Sequence, residues 1–310
     1  MNIIDNITIT DTMVGAATTI AEPSAGETAW VSGVAYAVGD VRIRATTHRK
    51  YKCAAVHTSA ATPTPENDGT RWVDIGPTDR MAPFDIYTST QVLATGSLTY
   101  VLKPGYFNSL ALYGLTGGQY SVTVRDAPGG AVIYARSGFL VDDPLGWYEY
   151  LFTTARPVGK LVFTGIPIRP AAELTLAITA AAGQPVGIGM IVVGDYIPLI
   201  SDEAQWGGTQ YGASAEPVTY SYIKTSDDGT TSIVKRHSAT NLRASVVMPR
   251  EHADAALKTL QRVLDRPVAF FATPAKGYEG LNVFGIASSS PVGYDSFGHA
   301  SININVKGLI

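Results

Sequence analysis

Hydrophobic and polar residues alternate in short runs along most of the chain, and helical periodicity is confined to one segment. Val41-Arg42-Ile43-Arg44 and Lys50-Tyr51-Lys52-Cys53 alternate with period two, the pattern of half-buried strands. Further strand candidates at 91–94, 98–102, 109–113, 120–125, 132–135, 147–152, 160–163, 174–179 and 189–193 are separated by turn sequences such as Lys103-Pro104-Gly105 and Ala127-Pro128-Gly129-Gly130. That density predicts an antiparallel, jelly-roll-like β-sandwich over 83–194.

Upstream, residues 1–28 carry one alternating stretch, Ile7-Thr8-Ile9-Thr10, followed by a linker. If its strand joins a later sheet, residues 29–82 form a side branch. Downstream, 195–310 opens on a Gly-rich stretch at 206–212. It continues with strands at 218–223 and 231–235, joined by the hairpin signal Ser226-Asp227-Asp228-Gly229. Ala253, Ala256, Leu257, Leu260 and Leu264 then recur at three- and four-residue steps, as one buried stripe of a helix requires. Pro249 suits its first turn, Glu251 and Asp254 suit the positive end of its dipole, and Pro267 ends it. Strands at 268–272, 281–286 and 299–307 complete a sheet with one covering helix. The fold class is therefore mainly β: a strand and linker (1–28), a small module (29–82), a β-sandwich (83–194) and a C-terminal α+β unit (195–310).

Composition sharpens this picture. Gly 31 and Pro 18 in 310 residues, with 16 % charged residues, fit many short strands joined by turns. A formal net charge of −3 argues against nucleic acid as a partner. Cys53 is the one cysteine, so it makes no intramolecular disulfide and reads as a small buried hydrophobe. The first residues lack the basic and apolar regions of a secretory signal, which predicts synthesis and folding in a cytoplasm. No apolar run reaches the ~18 residues of a membrane span.

Catalytic chemistry is not legible. Gly187, Gly189 and Gly194 lack phosphate-loop spacing, and the five histidines, His48, His57, His237, His252 and His299, lack metal-ligand spacing, so no cofactor or metal is expected. Ser214 sits in a Gly-x-Ser context with no helix after it. The carboxylate pairs Asp142-Asp143 and Asp227-Asp228 fall in turns, where a solvated role is expected.

The module at 29–82 concentrates candidate binding groups. Trp30, Tyr36, Tyr51 and Trp72 have planar faces suited to stacking on a sugar, while a unit this small also needs large aromatics for its own core. Strand alternation turns Tyr51 inward and leaves Trp72 as the best stacking candidate. If 41–44 and 50–53 pair as a hairpin through 46–48, Arg42, Arg44, Lys50 and Lys52 form one basic face for an anionic glycan.

These residues resemble the chitin-binding type 3 and related carbohydrate-binding modules. Trp30 opens the unit, Tyr36 with Gly39-Asp40-Val41 makes the first hairpin, Lys-Tyr-Lys-Cys at 50–53 follows, and Trp72 closes it after a Pro-x-Pro loop. The larger setting resembles minor structural proteins of tailed bacteriophages, through Pro-Thr-Asp-Arg-Met-Ala-Pro-Phe-Asp at 77–85, Val-Gly-Asp-Tyr-Ile-Pro-Leu at 193–199, Thr-Gln-Tyr-Gly at 209–212 and the C-terminal Ser-Ile-Asn-Ile-Asn-Val-Lys-Gly-Leu-Ile. The resemblance implies a non-enzymatic virion protein of the tail tip or baseplate, partnered by other tail proteins and by copies of itself. Its module would face a host cell-surface polysaccharide. The alternative is a glycan-degrading tail enzyme carrying the module as a targeting unit.

Overall fold

The computed structural model describes every residue except 143–145, 154–155, 201–203, 205, 226, 274, 276 and 310, together with the side chain of Tyr150. Asp143 of the first carboxylate pair and Ser226 of the hairpin signal lie outside the described residues.

The fold is mainly β and antiparallel, and its centre is the N-terminal strand. The strand spans Asn2–Asn6, not the alternating stretch at 7–10. Ile3 and Ile4 are both inaccessible to solvent. Successive side chains of a strand point to opposite faces, so this strand is covered on both sides and carries no alternation to read. It pairs with Met190–Pro198 on one edge and Val268–Phe271 on the other.

That pairing makes one large curled sheet. Its order is Lys160–Phe163, Ser109–Tyr113, Met190–Pro198, Asn2–Asn6, Val268–Phe271, Asn282–Ser289, His299–Gly308, Ser238–Pro249 and Gly208–Thr209. On one half of the sheet, Leu110, Leu112, Ile191 and Val193 face a second sheet of four strands, Val132–Phe139, Gln119–Arg125, Glu173–Thr179 and Ser97–Leu102. This second layer contributes Leu98, Tyr100, Val122, Leu174 and Leu176 to the shared core. On the other half, Ile3, Phe270, Val246 and Ile304 face the helix Arg250–Val263, which buries Ala253, Ala256, Leu260 and Val263. The reverse face of the same sheet gathers Ile4, Ala111, Tyr113, Val192, Phe271 and Phe284 into a separate cluster.

Several sequence expectations hold. Ser109–Tyr113 and Lys160–Phe163 have the expected bounds, and Ile302, Ile304 and Val306 are buried as the alternation requires. Others are corrected. Residues 147–152 form a helix, Trp147–Phe152, not a strand. Tyr148 and Phe152, four apart as helical neighbours are, bring their rings to 5.2 Å. The expected strand at 218–223 breaks at Tyr220 and Ser221: Ser214–Thr219 joins the large sheet, and Tyr222–Thr225 leaves it to pair with Thr231–Val234. Ser214, with its Gly-x-Ser context, begins a sheet strand. Pro249 ends a strand and caps the helix instead of entering its first turn, and Leu257 and Leu264 are only half-buried.

Candidate functional site

The small module folds locally as expected. Asp40 accepts from the Ala37 N–H at 3.0 Å and Gly39 takes φ 97°, closing the turn before Val41–Arg44. That strand pairs with Arg49–Cys53, which pairs in turn with Trp72–Pro77. Ala35–Tyr36 and His57–Thr58 pair beside them.

Tyr36, Tyr51, Cys53 and Trp72 form the module's core, with Trp30 packed against it. Trp72 is 3 % exposed. Its ring meets Tyr36 edge-on at 5.1 Å and His57 at 5.4 Å. The Tyr36 hydroxyl is held at 2.9 Å by both the N–H and the carbonyl of Val31. Arg42 lies over the Tyr36 ring at 5.2 Å and Arg44 over Trp30 at 5.0 Å. The surfaces a sugar would stack on are therefore occupied by protein, and Trp72 does not offer a stacking face. A module this small spends its large aromatics on its own core.

The expected basic face is also corrected, by register. Arg42 pairs with Tyr51 and Ile43 with Lys50, and cross-strand partners share a face. Arg42 and Arg44 accordingly lie on Tyr51's side, and Lys50 and Lys52 on the other with Ile43. Ile43 is buried there, while Val41, expected to face inward, is exposed. The charges are also compensated: Arg44 by Glu66 at 3.2 Å, Arg42 by Asp40 at 3.7 Å, and Lys50 by Glu27 at 3.2 Å and by Asp79. Burial of the Lys50 amine opposes its charge, but Asp79 and Glu27 outweigh that and raise its pKa. Lys50 is therefore an anchor. Asp79, with Glu22 and Glu27, ties the module's hairpin to the linker, and His48 adds a 2.7 Å contact to Glu22. Lys52 alone of the four is exposed with no ion pair among the described residues.

Sequence reasoning missed three other surfaces. The first is a concavity of about 630 Å3 beside the N-terminal strand, lined by Trp206, Tyr211, Tyr278, Thr209, Gln210 and Thr273. Trp206 and Tyr278 are about half exposed and Tyr211 fully so. Among the described residues, no Asp, Glu, Lys or Arg side chain lines it. The signal was present in the aromatic- and Gly-rich run at 206–212.

The second is the hairpin of Tyr222–Thr225 and Thr231–Val234. All eight strand residues are exposed, and among the described residues no other strand extends the pair. Register places Tyr222 with Val234 on one face and Ile223 with Ile233 on the other. All four of these apolar side chains are exposed, each by more than half. The turn at its tip carries Asp227 and Asp228, with Gly229 at φ 81°. Thr230 donates to Asp228 through its N–H at 2.9 Å and its hydroxyl at 2.6 Å, which lowers the Asp228 pKa. At the root, Tyr220, Lys235, Arg236 and His237 surround a shallow concavity of about 690 Å3. The third surface is the helix Trp147–Phe152, on which Trp147, Tyr148, Leu151 and Phe152 are exposed.

Asp85 has its pKa raised by burial, but Thr90 and the Tyr87 N–H hold its two oxygens. Among the described residues, no group of three or more His, Cys, Asp or Glu is arranged to hold a metal, and no helix is long and apolar enough to cross a membrane. Comparison of the chain with protein-family models, with curated proteins and with solved structures finds no match.

Proposed function

We propose that the protein is a non-enzymatic structural subunit of the tail tip or baseplate of a tailed bacteriophage, built to be completed by neighbouring subunits. The observation that carries the assembly part is the hairpin arm. An isolated two-stranded hairpin is at best marginally stable in water, and this one leaves an apolar pair uncovered on each face. Such an arm is the kind of element that a partner's surface covers. The exposed aromatic helix Trp147–Phe152 supports the same reading. The assignment to a phage tail rests on the sequence resemblance at 77–85, 193–199, 209–212 and 301–310.

The test is made in virions. Labelled antibody against the protein should decorate the tail tip in electron micrographs. A phage carrying Ile223→Asp with Ile233→Asp should fail to incorporate the subunit, although the purified variant remains folded. Normal incorporation of that variant would remove the arm from the assembly reading, and decoration elsewhere would remove the tail tip.

A second reading, contact with a host polysaccharide, is favoured by one observation: the aromatic concavity of Trp206, Tyr211 and Tyr278, which no Asp, Glu, Lys or Arg side chain lines among the described residues. The module's own rings do not support it. The depolymerase alternative needs two carboxyl groups facing each other across a cleft, and the half-buried carboxyl of Asp85 is committed to local turn contacts.

A further inference from the structure

We infer that the partner of the hairpin arm is a second copy of this chain, and that the acidic tip of one arm, Asp227 and Asp228, docks in the basic root of another, formed by Lys235, Arg236 and His237. This rests on the assembly reading above and names its partner.

Four observations converge. The tip carries two adjacent carboxylates, and Asp228 is fixed in place by Thr230. The root carries two adjacent permanent cations in a concavity, and neither Lys235 nor Arg236 has a carboxylate partner among the described residues. Tip and root are the two ends of one short two-stranded ribbon, separated by roughly 13 Å for four residues of strand. A paired hairpin cannot fold its tip back onto its own root, so these complementary charges can meet each other only between two copies of the chain. Finally, two arms laid tip to root bring the exposed Ile223/Ile233 or Tyr222/Val234 pairs of the two copies together, burying the apolar surface that each leaves in water. Charge sets register and apolar burial supplies affinity, the usual division of labour at an interface. A different protein as the arm's partner would explain the apolar pairs but would leave the match between tip and root without a role.

The experiment uses the full chain and mass measurement across protein concentration and salt. Wild type should associate, and more weakly as salt rises. Asp227→Lys with Asp228→Lys, or Lys235→Glu with Arg236→Glu, should each raise the dissociation constant by at least about tenfold, because like charges then meet at the contact. Mixing the two variants should restore association as mixed complexes, since each supplies the opposite charge the other lacks. Far-UV circular dichroism and the melting temperature of each variant control for folding. A wild type that stays monomeric, reversals that leave the masses unchanged, or a mixture that fails to recover would each overturn the inference. If the charge reversals have no effect in virions while Ile223→Asp with Ile233→Asp still blocks incorporation, the arm binds a different tail protein. The function proposed above then stands and this inference falls.

Discussion

The Tyr113 hydroxyl donates to Asn282 Oδ1 at 2.6 Å, joining two buried side chains that are 169 residues apart. Lys160 donates to the Asn282 main-chain carbonyl at 2.9 Å from the same side. Tyr113 and Lys160 belong to strands facing the sandwich, whereas Asn282 begins a strand of the helix-covered half. The two halves are thus tied by polar contacts within one sheet as well as by strand pairing. Tyr113→Phe leaves the Asn282 oxygen buried and unpaired, which costs about 1–3 kcal/mol. Denaturant unfolding should show that loss, in one transition that includes both halves. An unchanged midpoint would mean that the bond adds nothing.

Lys160 gives the fold a pH signature. Burial of its amine lowers its pKa from the ordinary 10.5. Between that lowered value and 10.5, the folded state holds fewer protons than the unfolded one, so stability rises with pH across this window. Below the window the cost of burying the charge is present in full. Lys160→Met should be more stable than wild type at neutral pH if the lost hydrogen bond costs less than the buried charge, and should lack the alkaline rise in either case. The rise is read by unfolding at several pH values, and an equal rise in wild type and variant would place its source elsewhere.

The N-terminal strand should matter to both halves. Ile3 faces the helix-side core and Ile4 the reverse face, each wholly buried. Ile3→Ala or Ile4→Ala should each cost about 2–5 kcal/mol. Hydrogen exchange should accelerate together in Met190–Pro198 and Val268–Phe271, its two neighbours. Acceleration on one side only would show that the halves fold independently of it.

Much of the strand pattern was legible because half-buried strands alternate, as in His299–Gly308. The pattern failed where its physical premise did. Asn2–Asn6 is covered on both faces, and its buried Ile3 and Ile4 are consecutive. The 12-residue strand Ser238–Pro249 does alternate, with Leu242, Ala244, Val246 and Met248 buried, yet it runs directly into a helix whose stronger period draws the eye past it. Helix and strand could not be told apart at 147–152, where six mostly apolar residues fit either period. For the site, alternation correctly turned Tyr51 inward. It could not reveal that Trp72 follows, because the burial of Trp72 is set by contacts with Tyr36 and His57 from other strands. Strand pairing likewise put Lys50 opposite Ile43, a register that alternation within each strand leaves open.

Trp72→Ala tests the structural role of the module's aromatics. Removing a ring packed on Tyr36, His57 and their neighbours costs about 3–5 kcal/mol, comparable to the whole stability of so small a core. Hydrogen exchange should show Arg49–Cys53 and Trp72–Pro77 losing protection while the helix Arg250–Val263 keeps it. A module that stays protected after the substitution would contradict the core assignment and return Trp72 to the list of surface rings.

The concavity of Trp206, Tyr211 and Tyr278 carries the last prediction. Stacking on a sugar needs a ring with one face in solvent, and orientation needs neutral hydrogen-bonding groups. Gln210, Thr209 and Thr273 lie beside these rings, with no charged side chain among the described lining residues. The Met1 amino group also lines it, bonded to the Thr209 hydroxyl at 2.6 Å, and burial lowers its pKa to about 6, so at neutral pH it is mostly uncharged and the lining suits an uncharged saccharide better than an anionic one. On an array of host polysaccharides, full-length protein should retain neutral glycans, and Trp206→Ala or Tyr278→Ala should each weaken retention, since each removes a ring face and the apolar burial it offers. Trp72→Ala should weaken it only if module unfolding spreads to the rest of the chain, which the exchange measurement above reports separately. Retention of acidic glycans alone, lost in Lys52→Ala and kept in Trp206→Ala, would move the contact back to the module and refute the concavity as the sugar site.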